Sequence, residues 1–292
     1  MYNRALSLIE APICLGSPTR GSEGAFEALL QGGIAACLPA QTEFLPYPLP
    51  RSVAEKAEDP ALRHLEPVMA VNRGLYEILA ARHRAGRFPI LIGGDHSVVM
   101  ASLAALAGKV GADNLALIYI DGHTDINTER SSVTGYIHGM PLAAAMGLCT
   151  DALTVGNKIN LYGKNTYILG AHSIDPGEYP ILEAQGVHLF APEALEGGGW
   201  EKILAGILRE TAGKAIHVSF DVDSITGAEF PATGYAMEGG LHFETVAAML
   251  KMLWQLPTLA SFDCVEYNPT RDRDGECLKK LLRIFRSFSE SG

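Results

Sequence analysis

Short apolar runs, each bounded by glycine or polar residues, recur along the chain. Six of them are Phe88–Ile92, Leu115–Ile120, Thr166–Leu169, Val187–Phe190, Ala215–Phe220 and Leu259–Val265. Runs of this length are typical of strands that are buried on both faces of a parallel sheet. The apolar stretch near the N-terminus contains Glu10 and predicts a first buried strand rather than a signal peptide.

Helical patterns alternate with these strands. The predicted helices are Ser97–Lys109, Trp200–Thr211, Phe243–Leu256 and Glu276–Phe288, with short helical sequence at Pro141–Met146 and Ser97 as a possible N-cap. Alternating strands and helices indicate βαβ units. We therefore expect an α/β fold, a single domain over residues 1–292 with a doubly wound, mainly parallel β-sheet flanked by helices. The Pro-rich, polar segment Leu38–Pro60 predicts a long loop or excursion.

Composition limits the classes of partner. The formal charge is −10, and a net-acidic chain without a basic block is a poor candidate for nucleic-acid binding. No apolar run is long enough to span a bilayer, so no membrane partner is expected. The five cysteines are scattered and form no C-x-x-C motif, which favours a reducing, cytoplasmic location. Cys14 and Cys264 lie in apolar runs and are predicted core residues.

Chemically active residues follow four of the predicted strands. His96 comes shortly after Ile92, and Glu266 directly follows Val265. The other two strands are followed by D-x-H-x-D at 121–125 and by D-x-D at 221–223. In extended backbone, residues two apart point the same way, and open α/β sheets bind ligands beyond the carboxyl ends of their strands. These side chains are therefore expected to converge on one pocket.

Six of these residues form a predicted set of metal ligands. They are His96, Asp121, His123, Asp125, Asp221 and Asp223. A single Asp after a strand is usually a cap, as we expect for Asp95, but the repeated spacing at three strand ends favours ligands. Six ligands predict two divalent cations, which could lower the pKa of water from about 15.7 to about 7. Carboxylates with imidazoles favour Mn²⁺, and Mg²⁺, Co²⁺, Ni²⁺, Fe²⁺ and Zn²⁺ are alternatives.

Several segments resemble the ureohydrolases, the family of arginases, agmatinases and related guanidino- and formimino-hydrolases. They are GGDHS (93–97), DGHTDIN (121–127), His138-Gly139, SFDVD (219–223), PATG (231–234) and VEYNP (265–269). The resemblance extends from the Gly-rich segment 16–24 to the terminal helix. It implies an arginase-like α/β/α sandwich, a binuclear manganese cluster, attack of a metal-bound hydroxide on the guanidinium carbon, and release of urea.

The resemblance also implies how the ligands divide between the ions. His96 would bind one ion and His123 the other. Asp121 and Asp221 would bridge the two ions, and Asp223 would complete the second. Asp125 would share the first ion with the nearby imidazole and hold the hydroxide by a hydrogen bond.

Two further residues match catalytic positions of the family. His138 matches the histidine that passes protons to the leaving amine, a task that suits an imidazole near its free pKa. Glu266 matches the glutamate that pairs with the substrate guanidinium, and a carboxylate suits a planar, bidentate cation.

The rim of the site resembles that of arginases in length and composition. The connection from Asp125 to His138 has the longer spacing of arginases. Asn127, Ser132 and Thr134 fall where arginases hold the substrate α-carboxylate. The Asp-Pro-Gly-Glu segment, which contains Asp175 and Glu178, resembles the one that meets the α-amino group. These features favour hydrolysis of L-arginine to urea and L-ornithine.

Other rim positions depart from the arginase pattern. Tyr136 replaces an asparagine, Ser173 an aspartate, Tyr235 a threonine, and Thr226-Gly227 an Asp-Pro pair. Both tyrosines are predicted to contact the substrate. The alternative is therefore an agmatinase or another guanidino-compound amidinohydrolase, or a formiminoglutamase-like enzyme. A non-catalytic metal-binding paralogue is a third hypothesis. Relatives are commonly trimers or hexamers, so the resemblance implies a homo-oligomer.

Overall fold

Eight parallel strands form one sheet in the computed structural model, which describes residues 4–47 and 59–290. The strands are β1 (Leu6–Glu10), β2 (Glu43–Leu45), β3 (Phe88–Ile92), β4 (Leu115–Ile120), β5 (Thr166–Leu169), β6 (His188–Phe190), β7 (Ala215–Asp221) and β8 (Leu259–Val265). Their order across the sheet is β2-β1-β3-β8-β7-β4-β5-β6, and all neighbours are parallel. The predicted parallel sheet is confirmed.

The strand bounds follow the apolar runs closely. Strands β3, β4, β5 and β8 begin and end as predicted, whereas β6 begins one residue later and β7 extends to Asp221. The predicted N-terminal strand is β1. The short strand β2 lies within the predicted excursion Leu38–Pro60 and pairs with β1. Residues 48–58 of that excursion lie outside the described residues.

Nine α-helices occur in the described part of the chain. They are α1 (Ala25–Gln31), α2 (Leu65–Arg84), α3 (Val99–Val110), α4 (Pro141–Ala145), α5 (Tyr179–Gln185), α6 (Pro192–Leu195), α7 (Gly199–Glu210), α8 (Phe243–Trp254) and α9 (Glu276–Glu290). The prediction of Ser97 as a cap was wrong, because Asp95 caps a 3-10 turn before α3 and accepts from the Ser97 backbone N–H. None of the helices described has the length and apolar character needed to cross a membrane.

Helix α2, the longest of the described helices, was not predicted. The residue before it, His64, has a left-handed backbone conformation with a φ of 54°, and its side chain makes no capping hydrogen bond to the helix. The usual start signal of a helix is therefore missing from the sequence. Its apolar face, which includes Val68, Leu75 and Leu79, is buried and packs mainly on α3. Tertiary burial stabilises this helix in place of a local cap.

Helices cover both faces of the sheet. On one face, α1, α7, α8 and α9 pack against strand residues such as Ile92 and Phe220. On the other face, α2, α3 and α4 pack against residues such as Leu91 and Tyr119. Successive strand residues point to opposite faces, which is why Leu91 and Ile92 belong to different clusters. The arrangement confirms a doubly wound sheet between two helical layers.

The sheet order creates a crevice at the middle of the sheet. The chain passes from β3 to β4 and leaves two positions between them, which β8 and β7 occupy later. Open α/β sheets bind ligands at such a switch point, outside the carboxyl ends of the strands. The four central strands therefore direct their C-terminal ends to a common crevice.

Candidate metal centre and active site

The first group of candidate ligands surrounds the imidazole of His96. Its Nδ1 lies 2.8 Å from Asp121 Oδ2, 3.3 Å from Asp125 Oδ2 and 3.2 Å from Asp221 Oδ2. Ligand atoms of His96, Asp121 and Asp125 all lie within 4.8 Å of one another. One nitrogen faces three carboxylates, which is the geometry of a cation site rather than of a single ion pair.

The second group shares Asp121 with the first. His123 Nδ1 lies 3.0 Å from Asp223 Oδ2 and 3.6 Å from Asp121 Oδ1. Asp121, His123 and Asp223 satisfy the same 4.8 Å limit. The D-x-H-x-D and D-x-D spacings therefore bring two sites side by side, with Asp121 between them.

Charge in this crevice favours bound cations. Burial and the neighbouring Asp223 and Asp121 raise the pKa of Asp221 well above its usual value. Burial alone would lower the pKa of His96, but the surrounding carboxylates raise it well above its ordinary value. Asp121 Oδ2 is buried and lies 2.8 Å from His96 Nδ1, but none of the described residues donates to it with the geometry of a hydrogen bond. Four carboxylates carry more negative charge than two imidazoles can balance, and this set of oxygen and nitrogen donors suits divalent cations.

Two residues that contact the His96 side chain were not predicted from the sequence. The ring of Tyr119 stacks on the imidazole with a centroid distance of 4.4 Å and an interplanar angle of 6°. Its hydroxyl donates to Asp125 Oδ2 at 2.7 Å. The other ring nitrogen, Nε2, lies 2.8 Å from Ser219 Oγ. Tyr119 lies two residues before Asp121, which directly follows β4, and Ser219 lies two residues before Asp221, the last residue of β7. The two-residue period, applied backwards from Asp121 and Asp221, would have found both.

His138 and Glu266 meet beside the first group. His138 Nδ1 lies 3.3 Å from Glu266 Oε1, and the same oxygen accepts from the His96 backbone N–H at 3.1 Å. Burial lowers the pKa of His138, but the hydrogen bond and charge of Glu266 raise it above its ordinary value overall. The carboxylate therefore stabilises the protonated imidazole.

A buried carboxylate connects three loops around His138. Asp95 accepts from the backbone N–H of Gly16 at 2.8 Å and of Ser97 at 3.1 Å. The Gly16 carbonyl in turn accepts from the His138 backbone N–H at 3.0 Å. A Cβ at Gly16 would stand 2.4 Å from Asp95 Oδ1, so the contact requires glycine. Asp95 therefore supports the site without belonging to the metal groups.

A cavity of about 330 Å³ opens onto the metal groups. It is lined by His123, Asp125, Asn127, Ser132, Thr134, His138, Gly139, Ser173, Asp175, Glu178, Asp221, Asp223, Tyr235 and Met237. Tyr136 lies beside this lining, with Arg63 over its ring and His138 against its edge. Glu266 is buried behind His138 and is 4% exposed.

The rim residues differ in what they can offer a ligand. Ser132 Oγ accepts from Gly135 N, and Thr134 Oγ1 accepts from Tyr136 N, so both hydroxyl hydrogens remain available. Asn127 donates one amide hydrogen to Asp175 Oδ2 and retains the other. This part of the rim supplies hydrogen-bond donors.

Both carboxylate oxygens of Glu178 accept hydrogen bonds from the protein backbone. Its Oε1 accepts from the Ile126 N–H at 3.0 Å, and its Oε2 accepts from the Asp175 N–H at 2.8 Å. The side chain is buried, so it shapes the rim and has no oxygen free of a backbone bond.

Two residues shape the walls of the site. The ring of Tyr235 lies edge-on to that of His123, with centroids 5.7 Å apart, and is tilted over that of His138 at 5.6 Å. Gly122 lies against the D-x-D motif, because a Cβ there would stand 2.9 Å from the Asp223 carbonyl oxygen. Tyr235 therefore bounds the cavity beside both histidines, and Gly122 permits the close approach of the two motifs.

Comparison with known proteins places this geometry in a family. The Arginase family model matches residues 4–288. An arginase of Brevibacillus brevis is 30% identical over 98% of this chain and 97% of its own length. The arginase structure from Bacillus caldovelox matches with a TM-score of 0.90 at 26% identity, covering 98% of both chains. An Entamoeba histolytica arginase in complex with L-ornithine matches with a TM-score of 0.88 at 26% identity, over 97% of both chains. The chain belongs to the arginase family and is a hydrolase of amidine carbon–nitrogen bonds.

Proposed function

We propose that this enzyme hydrolyses L-arginine to urea and L-ornithine with two manganese ions. The observation that carries the proposal is the pair of carboxylate–imidazole groups sharing Asp121 at the end of a cavity with a donor-rich rim. His96 and Asp125 would hold one ion, His123 and Asp223 would hold the other, and Asp121 and Asp221 would contribute to both. Such ions supply Lewis-acid activation that makes water nucleophilic near neutral pH.

The residues beside the metal groups would handle the substrate and its protons. Glu266 would pair with the guanidinium as a buried carboxylate, which favours a planar cation. Asp125 would accept a hydrogen bond from the attacking water and so direct it. His138, whose Nδ1 faces Glu266, would deliver a proton from Nε2 to the leaving amine.

The rim would recognise the amino-acid end of arginine. Ser132, Thr134 and the second amide hydrogen of Asn127 offer three donors to an α-carboxylate. Asp175 uses Oδ2 to accept from Asn127, which leaves Oδ1 for an α-ammonium group. The L-ornithine complex of the Entamoeba relative is consistent with such a product. We propose that Glu178 acts by holding Asp175 in place, and that Tyr235 bounds the guanidinium end.

A substrate panel with one variant tests this proposal. The manganese-loaded enzyme should release urea from L-arginine faster than from agmatine, which lacks the carboxylate. Thr134→Val should raise KM for L-arginine roughly 10- to 100-fold, because it removes one hydrogen bond to a charged group. The KM for agmatine should stay unchanged, which provides the matched control. Absence of urea from L-arginine across neutral and alkaline pH would refute the proposal.

A second candidate function is hydrolysis of another guanidino compound. Tyr235 supports it, because its ring occupies the wall between His123 and His138. Ser173 supports it as well, because it lines the cavity without the charge of an aspartate. Preference of the same panel for a guanidine without an α-amino-acid head would favour this function over that of an arginase.

We also propose an oligomeric state and a cellular location for the enzyme. We propose a homo-oligomer, a trimer or hexamer, which light scattering would report as about three or six times the 31.2 kDa chain mass. All five cysteines are free thiols, and we propose a cytoplasmic location on that basis. A stable monomer that turns over L-arginine would refute the oligomer without affecting the reaction.

A further inference from the structure

Tyr119 places a phenol inside the first metal group. It is the fifth residue of β4 and lies two residues before Asp121, so both side chains leave the backbone on the same side. The side chain is fully buried. A phenylalanine would supply the same apolar contact to the core, so packing alone does not require the hydroxyl.

The hydroxyl lies between two candidate ligands. It donates to Asp125 Oδ2 at 2.7 Å and lies 2.9 Å from His96 Nδ1. Asp125 stands on left-handed backbone with a φ of 48°, which a residue with a side chain rarely adopts. The phenol therefore tethers a carboxylate whose backbone does not hold it in a relaxed conformation.

The ring of Tyr119 also determines how His96 is oriented. The two rings are nearly parallel, with centroids 4.4 Å apart. Ser219 Oγ, 2.8 Å from Nε2, engages the other edge of the imidazole. Because Tyr119 covers one face of the imidazole and Ser219 contacts Nε2, the remaining nitrogen, Nδ1, points toward the three carboxylates.

We propose that Tyr119 is a positioning residue of the first metal site, holding Asp125 through its hydroxyl and His96 through its ring. This inference rests on the proposed function only in requiring that the two groups bind metal. Partners that orient metal ligands typically change metal affinity 10- to 100-fold when removed, so about that effect is expected for the hydroxyl.

Replacing the hydroxyl alone tests the inference. Tyr119→Phe keeps the ring stack, and Mn²⁺ binding to the chelator-stripped protein is measured by titration calorimetry. One of the two sites should weaken roughly 10- to 100-fold while the other is unchanged. Tyr167→Phe is the matched control, because that buried tyrosine on β5 donates to Glu210 and should leave both affinities unchanged.

Several results would overturn the inference. Unchanged affinities in Tyr119→Phe would do so, as would equal weakening of both sites accompanied by a lower unfolding temperature of the metal-free variant. A tyrosinate-to-iron charge-transfer band in the Fe³⁺-loaded wild type would show direct ligation and would also overturn it. Wild type that binds two ions but makes no urea refutes only the proposed function. Wild type that binds no metal refutes both.

Discussion

Two carboxylates of the site stand on left-handed backbone. Asp125 has a φ of 48° and Glu266 a φ of 63°. Such conformations cost roughly 1–3 kcal/mol for a residue with a side chain and persist where the surroundings hold them. The Glu266 N–H donates to the Gly94 carbonyl, and the Asp125 carbonyl accepts from the Leu142 N–H. The fold therefore maintains strain at the two residues that would contact the nucleophile and the guanidinium.

The proton-transfer role proposed for His138 can be tested by mutation. His138→Asn preserves polarity and approximate size but removes the acid–base group. We expect kcat for urea release to fall about 10²- to 10⁴-fold with bound manganese unchanged. His242→Asn, which alters an exposed histidine paired with Glu229, should leave kcat unchanged and serves as the control. A kcat for His138→Asn within a few-fold of wild type would rule out proton transfer by this residue.

His83 gives a prediction on stability. It is 3% exposed, neither ring nitrogen bonds to a described residue, and burial lowers its pKa to about 4. At pH values between about 4 and the pKa of the unfolded chain, near 6.5, His83 binds a proton in the unfolded state but not in the folded state. Stability should therefore fall as pH falls through this window, by roughly 3 kcal/mol in total. Urea unfolding of His83→Leu should show a shallower acid loss, and identical pH slopes in both proteins would contradict the assignment.

At the scale of elements, the loops after the strands depend on one another. Asp95 accepts two backbone N–H groups, one from the loop after β1 and one from the turn before α3. An asparagine would accept one of them and present its NH₂ to the other. We expect Asp95→Asn to lower the free energy of unfolding by about 1–3 kcal/mol. We also expect kcat to fall, because Gly16 supports the His138 backbone.

A neighbouring variant separates this effect from general disturbance of the turn. The Ser97 hydroxyl is buried and has no hydrogen-bond partner among the described residues, whereas its backbone N–H bonds to Asp95. Ser97→Ala therefore keeps both backbone hydrogen bonds of Asp95 and should retain the wild-type free energy of unfolding and kcat. If chemical unfolding and the urea assay show equal losses of stability and kcat in the two variants, the Asp95 hydrogen bonds do not account for the effect.

At the scale of the whole molecule, metal should stabilise the fold. Four buried carboxylates repel one another in the metal-free protein, and cations relieve that repulsion. At free Mn²⁺ 100-fold above Kd, each ion should add about 2.7 kcal/mol of stability. With roughly 2–4 °C per kcal/mol for chains of this size, calorimetry should show Tm rising about 5–10 °C per ion and falling on chelation. Asp223→Asn should lose about half of the rise, and a Tm indifferent to manganese would exclude tight binding.

Much of the fold followed from local pattern. The runs Phe88–Ile92 and Leu115–Ile120 became strands with the predicted ends, because an apolar run bounded by turn residues leaves few other ways to bury its side chains. Helix α2 was missed because its N-terminus has no side-chain cap. Both Asp95 and Ser97 were predicted as caps at the start of α3, and the bond from the Ser97 N–H to the Asp95 carboxylate shows that Asp95 is the cap.

The sequence by itself determined which side chains stand at the strand ends and on which side of each strand. A two-residue period is a local property, so it is enough to pair Asp121 with His123 and Asp221 with Asp223. Only the tertiary structure decided that β8 and β7 lie between β3 and β4, which brings His96 to those aspartates. It also decided that the Tyr119 hydroxyl bonds to Asp125, that both carboxylate oxygens of Glu178 bond to backbone N–H groups, and that Tyr136 lies beside the cavity. These outcomes depend on contacts between segments far apart in the chain, and local pattern carries no record of such contacts.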